Sequence, residues 1–218
     1  PPATPIMLSL FERLSQDING SSNDKAGVYL PFALLAFSEV LRADRMTPFL
    51  SPQERDFSIS ITTNYLDGLQ DFRAFNDAEG WRHGVAHASD VLLQLALNPA
   101  LTKEQLIQIG RTILTHLSPP SAPAFTHGEP ARLSRAFLYT LLRNDVPISH
   151  WQTALEEALQ PAPFENWNAT FQTEAGLIYR HNVSHFFTAL LSDVAYQQSP
   201  RLQSLAPWLA SNMRQAGF

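Results

Sequence analysis

The sequence predicts an all-α protein, on three observations: helix-start signatures recur along the chain, apolar residues repeat at intervals of three and four, and period-two alternation is essentially missing. About nine helices are expected. The first two fall at 4–17 and 31–44. The third, at 52–70, follows Ser51-Pro52-Gln53-Glu54, which joins an N-cap serine, a proline at the first helical position and a glutamate closing a capping box. The fourth is expected at 79–97, with a core-facing stripe of Trp81, Val85, Ala88, Leu92 and Leu95. Thr102-Lys103-Glu104-Gln105 repeats the cap pattern before a helix at 103–117, whose stripe is Leu106, Ile109, Ile113 and Leu117. Leu133, Phe137, Leu138, Leu141 and Leu142 stripe a helix at 130–144. Ser149-His150-Trp151-Gln152 opens one at 149–159, a long helix follows at 170–196, and Ser199-Pro200 caps the last at 200–214.

Connections are short except at 118–130 and 160–167, which are rich in proline and are expected to be flexible loops. Successive helix pairs occupy roughly 40 to 50 residues, the spacing of HEAT and armadillo arrays. The expected architecture is an irregular HEAT/armadillo-like stack of antiparallel hairpins in a single domain over 1–218, with a compact orthogonal bundle as the alternative.

The chain has 218 residues, 44% of them hydrophobic, enough to bury a full core. Its net charge of -5 arises from 15 basic and 20 acidic residues with no Lys/Arg run, which argues against nucleic acid and anionic membranes as partners. Cysteine is absent, excluding disulfides, thiolate nucleophiles and cysteine-ligated metals. The longest apolar stretch, 28–37, is interrupted by Pro31 and falls short of the roughly 20 residues of a spanning helix. The chain opens Pro1-Pro2-Ala3-Thr4-Pro5, and removal of an upstream segment such as a secretory signal is the expectation; cytoplasm and periplasm both stay open.

The chemistry-bearing residues concentrate at Gly80-Trp81-Arg82-His83-Gly84-Val85-Ala86-His87-Ala88-Ser89-Asp90. There His83, His87 and Asp90 stand at i, i+4 and i+7 and would share one helical face. Such a face suits a metal ion, a hydrogen-bonded polar pocket or a recognition surface. Between Glu79 and Leu97 the only charges are Glu79, Arg82 and Asp90, so this helix should be contacted on most sides, with its histidines in a groove. His181 and His185 repeat the i, i+4 spacing. Zinc would accept three or four such ligands, so His83, His87, Asp90 and His185 are candidate metal ligands. Against this, His-Glu-x-x-His is missing because Gly84 stands in the glutamate position. The plain alternative is that these histidines tie helices together through hydrogen bonds. Asp71-Phe72-Arg73 is expected to fold back so that its carboxylate and guanidinium meet His83 or Asp90 in an ion-pair network, either a clamp on the loop 74–79, with Asp77 capping the next helix, or a support that orients the imidazoles or binds a ligand carboxylate or phosphate. Gly-x-Ser-x-Gly, phosphate-loop and dinucleotide fingerprints are all lacking.

At Asp71-Phe72-Arg73, Gly80-Trp81, His83, Ala86-His87 and Asp90 the sequence resembles a bacterial family of all-helical proteins known as domain of unknown function 2785. Its pattern is Asp-x-Arg-Gly followed by Gly-Trp-x-His-x-x-Ala-His-x-x-Asp. Weaker likeness covers 32–45, 129–133 and 182–191. Ala74 departs from the family's glycine. The resemblance implies a helical, HEAT-like fold and a shared polar centre of Asp71, Arg73, His83, His87 and Asp90. It implies no activity.

Two functions fit these residues. One is a noncatalytic helical-repeat-like binding domain that recognises a protein or small ligand through Asp71, Arg73, Trp81, His83, His87 and Asp90. The other is a metal-dependent hydrolase, with His83, His87 and either Asp90 or His185 holding a divalent ion such as zinc and Asp71 as general base. A pH response through the seven histidines is a third possibility.

Overall fold

In the computed structural model, which describes residues 3–20, 24 and 26–218, the protein is all-α apart from one two-residue hairpin. Pro1 and Pro2 of the opening stretch lie outside the described residues. Two compact units divide the chain, 1–109 and 110–218.

The first unit contains α1 (Ala3–Gly20), α2 (Tyr29–Met46), α3 (Pro52–Asp67), the strands β1 (Phe75–Asn76) and β2 (Gly80–Trp81), α4 (Gly84–Ala96) and most of α5 (Lys103–Thr115). Helix α1 packs on α2 and α3, and α4 packs on the same two, so the pair α1–α2 lies against the pair α3–α4. The capping box before α3 forms as expected: Ser51 Oγ accepts from the Glu54 N–H at 3.2 Å, and the Ser51 N–H donates to Glu54 Oε2 at 2.6 Å. Thr102 and Gln105 make the same reciprocal bonds ahead of α5.

Inside this unit lies an ion pair with no local signature in the sequence. Asp44 is fully buried and receives Arg55 Nε and Nη2 at 2.8 and 2.9 Å. The Phe49 and Leu50 N–H groups and Asn98 Nδ2 also donate to it, each at 2.8 Å. Burial alone would raise this carboxyl's pKa, but the Arg55 and backbone donors outweigh it and hold the group below the usual carboxylate range. Every lone pair is used, and that satisfaction makes a buried charge tolerable.

The second unit contains α6 (Glu129–Leu141), α7 (Ile148–Ala158), a 3-10 turn (Ala169–Gln172), α8 (Glu174–Tyr196), α9 (Pro200–Gln203) and α10 (Leu205–Gln215). Helix α8 is its spine and packs on α6, the 3-10 turn, α9 and α10. The core holds Phe137, Trp151, Phe186 and Phe187.

Several boundaries differ from expectation for local reasons. Helix α7 starts at Ile148 after Pro147, so Ser149 lies inside it instead of capping it. Thr173 caps α8 by accepting from the Gly176 N–H at 3.0 Å, which splits the residues 169–172 off as a separate turn. The final helix breaks at Ser204, giving α9 and α10. The proline-rich stretch after α5 is pinned rather than loose: buried Asn182 of α8 accepts from the Phe125 N–H at 2.7 Å and donates to Pro123 O at 3.1 Å and Ser118 Oγ at 3.3 Å.

Candidate functional site

The segment between α3 and α4 folds as a hairpin, and this displaces the expected helix 79–97 to Gly84–Ala96. Phe75 pairs with Trp81 and Asn76 with Gly80. The turn is set by Asn76, whose Oδ1 accepts from the Ala78 and Glu79 N–H groups at 3.0 and 2.8 Å, and by Gly80 at φ +75°. Asp77 sits in this turn and does not cap α4. The ladder runs on through Arg82 N–H to Ala74 O at 2.8 Å and His83 N–H to Arg73 O at 3.4 Å. Ala74 adopts no left-handed backbone, so alanine fits where the resembled pattern has glycine.

His83 is therefore the residue before α4, held in the left-handed region at φ 60°. It does not share a helical face with His87 and Asp90. The two imidazoles still meet, with ring centroids 5.9 Å apart. His87 is buried, and its Nδ1–H donates to Pro31 O at 2.9 Å, which fixes its tautomer and ties α4 to α2. Asp90 lies on α4 just under one turn beyond His87, half-buried. Trp81, expected in the core stripe, is instead 48% exposed on β2.

These changes line up five rings. Phe32 meets His87 edge-on at 5.3 Å, His87 meets His83, His83 stacks on Trp81 at 4.8 Å with the planes 23° apart, and Trp81 meets Phe75 at 4.9 Å. Phe32 and Phe75 at the two ends are 43% and 40% exposed. The ladder thus surfaces at both ends and at Trp81.

Beside it Asp71 and Arg73 form an ion pair with each other. Arg73 Nε and Nη2 grip Asp71 at 2.8 and 2.6 Å, and this bidentate bond lowers the carboxyl's pKa. Sequence reasoning gave Arg82 no role, yet its side chain is buried and joins the loop before α2 to the hairpin: Nε donates to Ala26 O at 3.0 Å and Nη2 meets Glu79 Oε2 at 2.9 Å. Arg73 reaches the same carbonyl at 3.3 Å. Gly27, at φ +66°, lets this loop lie against the Asp71 carboxylate, which a Cβ would overlap at 2.1 Å.

A cleft of about 240 Å³ opens next to the pair, with Asp24, Pro31, Asn64, Tyr65, Gln70 and Asp71 among its lining residues. Tyr65 is buried, with its side chain lining this cleft. Burial, then the negative charges of Asp24 and Asp71, push its ionisation well above the usual tyrosine value. The hydroxyl approaches so closely that a Cβ on Gly84 would stand 2.4 Å from it.

In the second unit His181 and His185 lie one turn apart on α8, His181 half-buried and His185 exposed. His185 Nδ1 is 3.0 Å from His181 Nε2, which also lies 3.3 Å from Phe125 O. Burial and the neighbouring His181 lower the His185 pKa. A groove of about 470 Å³ runs alongside, lined by Phe125, Thr126, Pro130, Thr188 and Ser192 together with both histidines. Among the described residues no group of three or more His, Asp or Glu side chains is placed to hold one metal ion. No helix among them is long and apolar enough to cross a membrane.

Comparison with known proteins returns no match among curated proteins and none among solved structures. One family model matches residues 14–191, a span that includes the hairpin, the ring ladder and most of α8. On that match, the chain belongs to the family described as "Protein of unknown function (DUF2785)".

Proposed function

We propose that the protein is a noncatalytic, helical-repeat-like binding domain whose first unit recognises a protein or small ligand. The observation that carries this is the five-ring ladder, exposed at Phe32, Trp81 and Phe75, beside a cleft lined by Tyr65. Exposed aromatic rings held rigid by stacking on fixed imidazoles supply contact area at little entropic cost, as binding hot spots do. The cleft is smaller than a drug-sized pocket of roughly 300 Å³ or more, so it suits one side chain or one polar group of a ligand. The Asp71–Arg73 pair and Arg82 hold its rim in shape. The paired helices of the first unit support the repeat-like element of the proposal.

The hydrolase alternative built on His83, His87 and Asp90 or His185 has less in its favour. His83 leaves the helical face that would have aligned three ligands, and the described residues offer no convergent triad.

Selection of a peptide display library against the intact protein, with a Trp81→Ala/Phe32→Ala variant as counter-target, tests the proposal. Enriched sequences that bind the variant at least about tenfold more weakly support it. Sequences that bind both forms equally, in a variant with unchanged circular dichroism, refute the ladder as the recognition surface.

A further inference from the structure

The histidine pair of α8 has a geometry that its surroundings do not require. His185 is exposed, and its ring meets that of His181 on the same helix. Its Nδ1 points at His181 Nε2 from 3.0 Å, across the edge of an open groove. Two metal–nitrogen bonds of about 2.0–2.1 Å meeting at roughly 90 to 110° hold their nitrogens about 2.9 to 3.4 Å apart. The observed separation falls inside that window.

The surroundings favour a bound cation in one further way. One and two turns on, Thr188 and Ser192 line the same groove, so hydroxyls and water can fill the remaining coordination positions. Both imidazoles are carried by the one helix α8, which fixes their spacing. On binding, His181 Nε2 exchanges its N–H contact with the Phe125 carbonyl for the bond to the ion.

We infer that His181 and His185 form a bidentate chelate for a late first-row divalent cation, Cu²⁺, Ni²⁺ or Zn²⁺, the ions that imidazole nitrogen suits. His185 coordinates through Nδ1 and keeps its proton on Nε2. His181 coordinates through Nε2, its proton moving to Nδ1, so two neutral imidazoles each give one lone pair and no proton need leave the site. The open positions on the ion face the groove, where a ligand carboxylate or water can complete the shell. This site lies in the second unit and is independent of the binding surface proposed for the first.

Isothermal titration of tag-free protein with the chlorides of copper, nickel and zinc, compared with His181→Gln and His185→Gln, tests the inference. Each variant removes one arm of the chelate, and the exposed His185 position keeps that protein folded. One ion per chain should bind the wild type, at least about tenfold more tightly than either variant. Binding of equal strength in all three proteins, or none in the wild type at millimolar ion, overturns the chelate.

Discussion

The molecule contains the same four-residue histidine spacing twice, and the two copies fold differently. At 83 and 87 the pair straddles a helix start. His83 stands in the left-handed region, the rings sit 5.9 Å apart, and His87 spends its Nδ1–H on Pro31 O inside the core. At 181 and 185 both residues lie within α8, the rings sit 3.9 Å apart, and their nitrogens meet at 3.0 Å in the open. Spacing in sequence becomes geometry only where the helix is continuous, and burial then decides which nitrogens are left over.

The largest test of the contrast removes what holds the first pair's helices in place. Asp44→Ala leaves the Arg55 guanidinium buried without its partner, and chemical denaturation should report a loss of about 3–5 kcal/mol. The same pair predicts an acid response. Asp44 has a folded pKa below its unfolded value, so its stabilisation is fully present above the unfolded value near pH 4 and is lost as pH falls through the lower folded value. Asp44→Asn should therefore flatten the stability profile below about pH 4; an unchanged acid limb would mean that other carboxyls carry it.

Its counterpart in the second unit is Asn182. Replacing it with alanine orphans the Phe125 N–H and the Pro123 carbonyl, at about 2–4 kcal/mol by the same assay. It should also free the residues 118–130 to limited proteolysis before α8 itself unfolds. Gly27→Ala comes next: a Cβ at φ +66° against Asp71 should cost about 1–3 kcal/mol and open the Asp71–Arg73 pair, visible as a rise in the Asp71 pKa by carboxyl NMR. The histidines come last. His87→Ala should lose about 1–3 kcal/mol through the orphaned Pro31 carbonyl and the gap beside Phe32, whereas His185→Ala should stay within about 0.5 kcal/mol without metal. Equal costs would erase the distinction between the pairs.

Much of the helical frame was legible because its signals are local. Ser51 with Glu54 and Thr102 with Gln105 announce their caps within four residues, and the charge-poor stretch 84–96 proved buried on nearly every side. The hairpin was not legible from periodicity, since two-residue strands have no period to show. Its trace was Asn76 and Gly80 bracketing a turn between two aromatic residues. Asp71 and Arg73 pair with each other across two positions, whereas the sequence reading carries them to His83 or Asp90. Asp44 with Arg55 and Asn98, Arg82 with Ala26, and Asn182 with Phe125 span eleven to 57 positions, and only the fold brings them together. A helix running through Trp81 would put it in the core; with the hairpin in its place, the same indole faces outward.

The two histidine pairs are best separated by NMR of the imidazole nitrogens in uniformly ¹⁵N-labelled protein during zinc titration. The account predicts that His181 and His185 shift together and saturate at one ion per chain, while His87 keeps the pattern of a Nδ1–H tautomer throughout. Zinc-induced shifts at His83 and His87 ahead of the α8 pair would contradict it.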